Sequence, residues 1–343
     1  MKLPQEQIDR IAALGYTDVE ARFVYLVAAH SGYFTMRQFN AFAGVSRGKR
    51  STSFAQKLLK HGHATVRDYV KAGCVFHLFS RLVYGPINPI NKDNVRNRRP
   101  HSFDYIRTRL VQLDFLLENP QQDFLETEAD KIALFCESLA IPQDVLPAKV
   151  YEGAAGTRPT VRYFVDKFPL FQAAPIPGAP PVVTFGYVDS GAGSLWSFTA
   201  HLAAYHALFR HLPAFRLVYI APRTNGFRRA EERFRSSVKQ PLESDVSTEL
   251  LRYFAVRRKW ENHEYVVPVA ADFEFLNEAR RRFHGDRFDT LYTAWKDGSL
   301  SESQLRVEFS QLTPARTVFF DTYLVRNRRS PVDERVRKQV NRA

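Results

Sequence analysis

The sequence predicts a chain of mixed α+β and α/β class, a small helix-rich part followed by a larger sheet-containing one. Three observations predict it. Apolar residues recur at helical spacing as far as residue 61, the period falls to two after Gly62, and beyond residue 160 near-continuous apolar runs such as PPVVTFGYVD and FRLVYIAP alternate with helical segments. A length of 343 residues accommodates two or three domains. With 45% hydrophobic and 25% charged residues, wholesale disorder is excluded. No apolar run reaches about 18 residues, so no membrane-spanning helix is expected. The opening MKLPQEQIDRIAALGY lacks the apolar stretch of a signal peptide. Two cysteines, Cys74 and Cys136, build neither a disulfide framework nor a four-thiolate zinc site, and a cytoplasmic location is expected.

Each element follows from its local pattern. Ile8, Ile11, Ala12 and Leu14 form an apolar stripe that Gly15 ends. Thr17 or Asp18 opens a second helix carrying Val19, Phe23, Leu26, Val27 and His30, and Gly32 stops it. Tyr33 and Phe34 read as a short extended piece, and Thr35 caps a third helix with Met36, Phe39, Phe42 and Ala43. After the tight turn Gly44-Val45-Ser46, either Ser46 or Ser51 starts a fourth helix that ends at Gly62. HATVRDYV and CVFHLFS then form a hairpin through Lys71-Ala72-Gly73, and a Pro/Asn-rich loop closes the unit. HSFDYIRTRLVQLDFLLENP is a long helix and ETEADKIALFCESLAI an acidic amphipathic one. Residues 142–159, rich in Pro and Gly, read as a boundary. Beyond it come TVRYFVDKFPLF as a strand pair or hairpin strand, PPVVTFGYVD as a buried strand, an aromatic-rich helix over 197–212, FRLVYIAP as a covered strand and GFRRAEERFRSSV as a charged helix. Residues 246–325 read as mixed. The expected segments are 1–100, a helical connector over 101–150, an α/β part over 151–325, and a basic tail over 326–343.

The order of the first hundred residues is the winged helix-turn-helix plan, in which the helix after the turn enters the major groove. Its first residues here are Ser46, Arg47, Lys49, Arg50, Ser51, Thr52 and Ser53, a mixture of cationic heads and short hydroxyls suited to phosphates and base edges. Lys57 extends the set along the helix. Arg67 and Lys71 sit on the wing, and Arg98 and Arg99 lie in the basic loop that follows. Charge distribution agrees. The formal net charge is +13; residues 1–110 hold 18 Lys/Arg against 7 Asp/Glu, residues 111–150 hold 2 against 8, residues 151–325 hold 22 against 19, and residues 326–343 hold 7 against 2. Double-stranded DNA is the expected partner, with a homodimer on a palindromic site as a further expectation. The competing reading is a solvated charged helix in a winged helix that binds another protein.

Two acids in the second part are the catalytic candidates. Asp166 lies in VRYFVDKF and Asp189 in VTFGYVD; carboxylates on adjacent strands can hold a divalent metal for phosphodiester hydrolysis, as in a restriction-endonuclease-like α/β domain. Such a site also wants a Lys two residues after the second acid, and Gly191 stands there instead. A degenerate core with Asp189 capping the next turn is therefore expected, with no metal and no cofactor, and a metal-dependent nuclease is the alternative. His201, His206 and His211 are spaced five apart and share no helical face, GAAGTRP is not a phosphate-binding loop, and SGAGS is not a nucleophile elbow.

The chain resembles the replication-relaxation family of plasmid and integrative-element proteins over about residues 18–235. The similarity lies in VEARFVYLVAAHSGYFTMRQFNAFAG, SFAQKLLKHGHATVRD, HSFDYIRTRLVQLDFLL, RYFVDKFPLF, TFGYVDSG and the run from YHALF to FRLVYIAP. The resemblance implies an N-terminal winged helix, a long helix and a nuclease-like α/β domain, with double-stranded DNA binding in replication, mobilisation or transcription control. A Glu-x-Asp usual in that family is Tyr187-Val188-Asp189 here.

Overall fold

The computed structural model describes residues 1, 3–69, 73–85, 100–152, 159–175, 177–191, 195–243, 246–264, 270–312 and 316–326. It is of mixed α+β class, and the chain divides into two compact units. Of the described residues, the first holds those in 1–211, 215–235 and 319–326; the second holds 212–214 and those in 236–318.

The first unit opens with α1 (Gln5–Ala12), α2 (Asp18–His30), β1 (Tyr33–Thr35), α3 (Met36–Ala43) and α4 (Lys49–Lys60). β2 (Ala64–Tyr69) and β3 (Gly73–Leu78) follow. A reciprocal capping box starts α2: the Thr17 amide donates to Glu20 Oε2 at 2.9 Å and the Glu20 amide to Thr17 Oγ1 at 3.4 Å. Gly44, at φ 63°, ends α3 in the left-handed conformation that lets the chain turn sharply into α4. The three strands pair antiparallel in the order β1-β3-β2. Phenylalanines hold the helices to this sheet. Phe23 meets Phe34 at 5.2 Å and Phe39 at 5.3 Å, while Phe39 stacks on Phe54 at 4.1 Å. Ser51, Phe54 and Leu58 form the buried face of α4.

α5 (Arg81–Tyr84) and the long α6 (Phe103–Glu118) come next. α6 is buried through polar groups as well as apolar ones. Its Asp114 accepts from Arg37 at 2.7 Å and, with the Leu110 carbonyl, from the Gln38 amide at 2.9 Å. The expected acidic helix over 126–141 is shorter than its pattern suggests: α7 (Glu128–Ile132) passes into a π-helical turn over Ala133–Ser138, which places Phe135 at 0% exposure against Phe164 and Phe185.

The stretch over 142–159, expected as a boundary, lies within the first unit, and β4 (Ala148–Tyr151) pairs with β5 (Thr160–Tyr163) across it. TVRYFVDKFPLF contributes to two sheets. Phe164 and Lys167, at φ 50° and 55°, break the extended run after β5, and β6 (Leu170–Ala173) joins β7 (Val182–Val188) in a separate sheet. β7 runs parallel to β8 (Ala214–Ala221), with α8 (Leu195–His211) between them in sequence. Gly186 of β7 sits tightly here, since a Cβ there would lie 3.1 Å from both Pro169 and Ile220. α9 (Phe227–Phe234) follows β8, and the strand order is β6-β7-β8-β9, with β9 at Thr317–Leu324.

Residues 246–325, expected only as mixed, contain four helices before β9. These are α11 (Val246–Glu261), α12 (Ala270–Arg282), α13 (Asp286–Lys296) and α14 (Glu302–Leu312), preceded by the short α10 (Gln240–Glu243). Leu250, Phe254, Phe283, Tyr292 and Phe309 form their core. Glu261 ties α11 to α13, accepting from Tyr292 at 2.7 Å and Lys296 at 2.9 Å. No helix among the described residues is long and apolar enough to cross a membrane.

Candidate functional site

The start of α4 presents the densest set of expected contact residues. Arg47, Lys49, Arg50, Thr52 and Ser53 are exposed, because the inward face of the helix is taken by Ser51, Phe54 and Leu58. No acidic residue occupies its first turn, so the free amides and positive end of the helix dipole add to the cationic side chains. Arg67 is exposed on β2, opposite Val75 of β3. Arg47 lies close enough to Cys74 of β3 for its charge to draw the thiol down, against the larger upward effect of the Asp68 hydrogen bond. Arg47, just ahead of α4, thus lies near the β2–β3 hairpin.

Two of the expected contacts are engaged within the protein. Ser51 is 3% exposed, and its hydroxyl donates to the Gly48 carbonyl at 2.9 Å and accepts from the Gly48 amide at 3.1 Å, so it stabilises the helix start. Lys57 points back to α2, where it pairs with Glu20 at 2.5 Å and lies over the Tyr16 ring. Lys71, Arg98 and Arg99 lie outside the described residues, as does the basic tail from residue 327.

The two carboxylates of the α/β part have separate partners. Asp189 follows the end of β7; its Oδ1 accepts from the Gly191 amide at 2.8 Å and its Oδ2 from the Tyr219 hydroxyl at 2.6 Å. This is the turn-capping role expected of it. Asp166, in the link between β5 and β6, accepts from Tyr205 Oη at 2.9 Å and from the Phe168 amide at 3.2 Å, and pairs with His201 Nδ1 at 3.1 Å. Burial by itself would raise the Asp166 carboxyl; the hydrogen bond and charge of His201, with Lys131 and the Phe168 amide, outweigh it and hold the group below its ordinary value. Among the described residues, no group of three His, Cys, Asp or Glu side chains is placed to hold a metal ion.

Sequence reasoning passed over His201 and Lys131. Testing His201 against the other histidines missed the relevant spacing, which is Ser197-His201-Tyr205 at successive helical turns. Lys131 looked like one charge in an acidic helix, yet it is 5% exposed and burial pushes its amine down to about 8.

No family model, curated protein or solved structure matches the chain.

Proposed function

We propose that this chain is a double-stranded DNA-binding protein whose residues 17–78 act as a winged helix. α4 is the recognition helix and β2–β3 the wing. The observation that carries it is the outward, acid-free first turn of α4, where Lys49, Arg50, Thr52 and Ser53 project, with Arg47 exposed just ahead of the helix, beside a three-stranded antiparallel sheet. A helix end with free amides, cationic heads and hydroxyls is suited to a phosphate backbone and to the acceptor edges of guanine. The excess of 18 basic over 7 acidic residues in the first 110 supplies the long-range attraction.

The setting suggested by the replication-relaxation resemblance, control of replication, mobilisation or transcription in a mobile element, belongs to the same proposal, as does a homodimer on a palindromic site. The α/β part is read as a docking or dimerisation module, because both of its candidate carboxylates are held by protein donors.

The test is selection of bound duplexes from a random pool, followed by titration of the full chain and of Arg47→Ala/Arg50→Ala at several salt concentrations. The double variant is expected to lose the selected site. If both arginines contact phosphate, the slope of log affinity against log salt falls by about 2. Unchanged affinity and slope would overturn the assignment of α4.

A further inference from the structure

A cavity of about 330 Å³ opens between the β5–β6 link and α8 of the first unit, within the size range of small-molecule sites. Its walls are mainly apolar, with the rings of Phe164, Phe168, Tyr187 and Tyr205 among them, and its polar groups are few: Asp166, His201, Ser197 and, at an exposed position, Lys149. Apolar walls with a small number of placed polar groups are the usual composition of a ligand pocket.

His201 points to a ligand. The side chain is 8% exposed, lines the cavity and commits Nδ1 to Asp166. Its Nε2 is buried and has no hydrogen-bond partner among the described residues. A buried polar atom of this kind is disfavoured unless something completes it. With Nδ1 engaged by Asp166, Nε2 is the ring atom left to meet a ligand, and it donates to an oxyanion when both ring nitrogens carry hydrogen.

The surroundings are arranged to hold the pair in place. Asp166 is bracketed by Phe164 and Lys167, two non-glycine residues in the left-handed region. Such backbone is costly and persists where the rest of the fold enforces it, a pattern concentrated at functional sites. Enforcement comes from α6: Arg109 donates to the Asp166 carbonyl at 2.8 Å, and Gln112 to the Lys167 carbonyl at 2.9 Å. Charge then selects the ligand. The Asp166 oxygens are taken up by Tyr205, the Phe168 amide and His201. Lys131, whose charge acts on Asp166, and Lys149 leave the region positive.

We propose that this cavity binds a small organic oxyanion, a flat apolar body carrying a carboxylate or phosphate, with His201 Nε2–H donating to the anionic group, Lys149 attracting it and the rings enclosing the body. The site is separate from α4, and its test does not depend on DNA binding.

Four probes of one shape test it on the full chain: benzoate, phenyl phosphate, benzyl alcohol and benzylamine. Binding is followed by calorimetry and ligand-observed NMR. At least one oxyanion is expected to bind ten-fold or more tightly than the alcohol and the amine, and the better of the two identifies carboxylate or phosphate as the preferred head. His201→Gln, with its fold checked by circular dichroism, should lose that ten-fold preference. Lys149→Glu, at an exposed position where folding is not at stake, should weaken the oxyanions several-fold and leave benzyl alcohol unchanged. Three results would overturn the proposal: oxyanions binding no better than the alcohol, the amine binding best, or a preference for oxyanions that survives Lys149→Glu undiminished.

Discussion

Ser51 and Lys57 share a helix with Lys49 and Arg50 yet serve the interior of the fold. Ser51→Ala removes the hydroxyl that both donates to and accepts from Gly48. It is expected to destabilise the protein by about 1 kcal/mol in urea denaturation while leaving the affinity for a selected duplex unchanged. Lys131 makes a pH-dependent contribution. Burial lowers its amine from 10.5 to about 8, with Asp166 opposing the change. Between those two values the unfolded chain binds the extra proton, so this group makes stability rise as pH increases from about 8 to 10.5. Below about 8 the ammonium is present in both states and the full burial penalty applies, about 3 kcal/mol for a change of this size. Lys131→Met should abolish the rise, and urea titrations at pH 7 and pH 10 of both proteins measure it.

At the scale of elements, α4 is seated by one ring. Phe54 is 0% exposed, stacked on Phe39 at 4.1 Å and within 6.1 Å of both Phe23 and Phe34. Phe54→Ala is expected to cost about 3–5 kcal/mol, measured by thermal or urea denaturation. The attachment of α3 to α6 is ionic. Burial pushes the Asp114 carboxyl up, and the charge and hydrogen bond of Arg37 draw it back without cancelling the effect. Arg37→Ala strips a mostly buried carboxylate of its cation, and since Arg37 is itself 31% exposed, the expected loss is about 3 kcal/mol, the low end for a broken buried pair. Denaturation of that variant provides the check. The amphipathic helices α2 to α4 were legible because Phe23, Phe39, Phe54 and Leu58 fall on helical spacings between glycine stops. TVRYFVDKFPLF was legible as a strand pair or hairpin strand. That β5 and β6 join different sheets was not, because the break lies in the φ angles of Phe164 and Lys167 and their partners β4 and β7 are set by the fold.

For the whole molecule, the division into two units predicts that unfolding is not a single event. Three tryptophans report on it unequally. Trp196, in the first unit, is 76% exposed, while Trp260 and Trp295 belong to the second, where Trp295 packs on Phe254 at 5.8 Å. Tryptophan emission should therefore follow the second unit, and far-UV circular dichroism both. The expected result is two non-coincident transitions in urea; superimposable curves would show that the units unfold together.

Local pattern determined the helices and strands of the first eighty residues, the parallel-type apolar runs, the distribution of charge and the turn-capping role of Asp189. Each depends on neighbours a few residues apart. Tertiary structure decided which cations of α4 face outward, the joining of His201 to Asp166 across 35 positions, and the burial of Lys131. Those outcomes depend on which surfaces meet, since a side chain's partners, exposure and proton affinity are set by groups distant in sequence and adjacent only after folding.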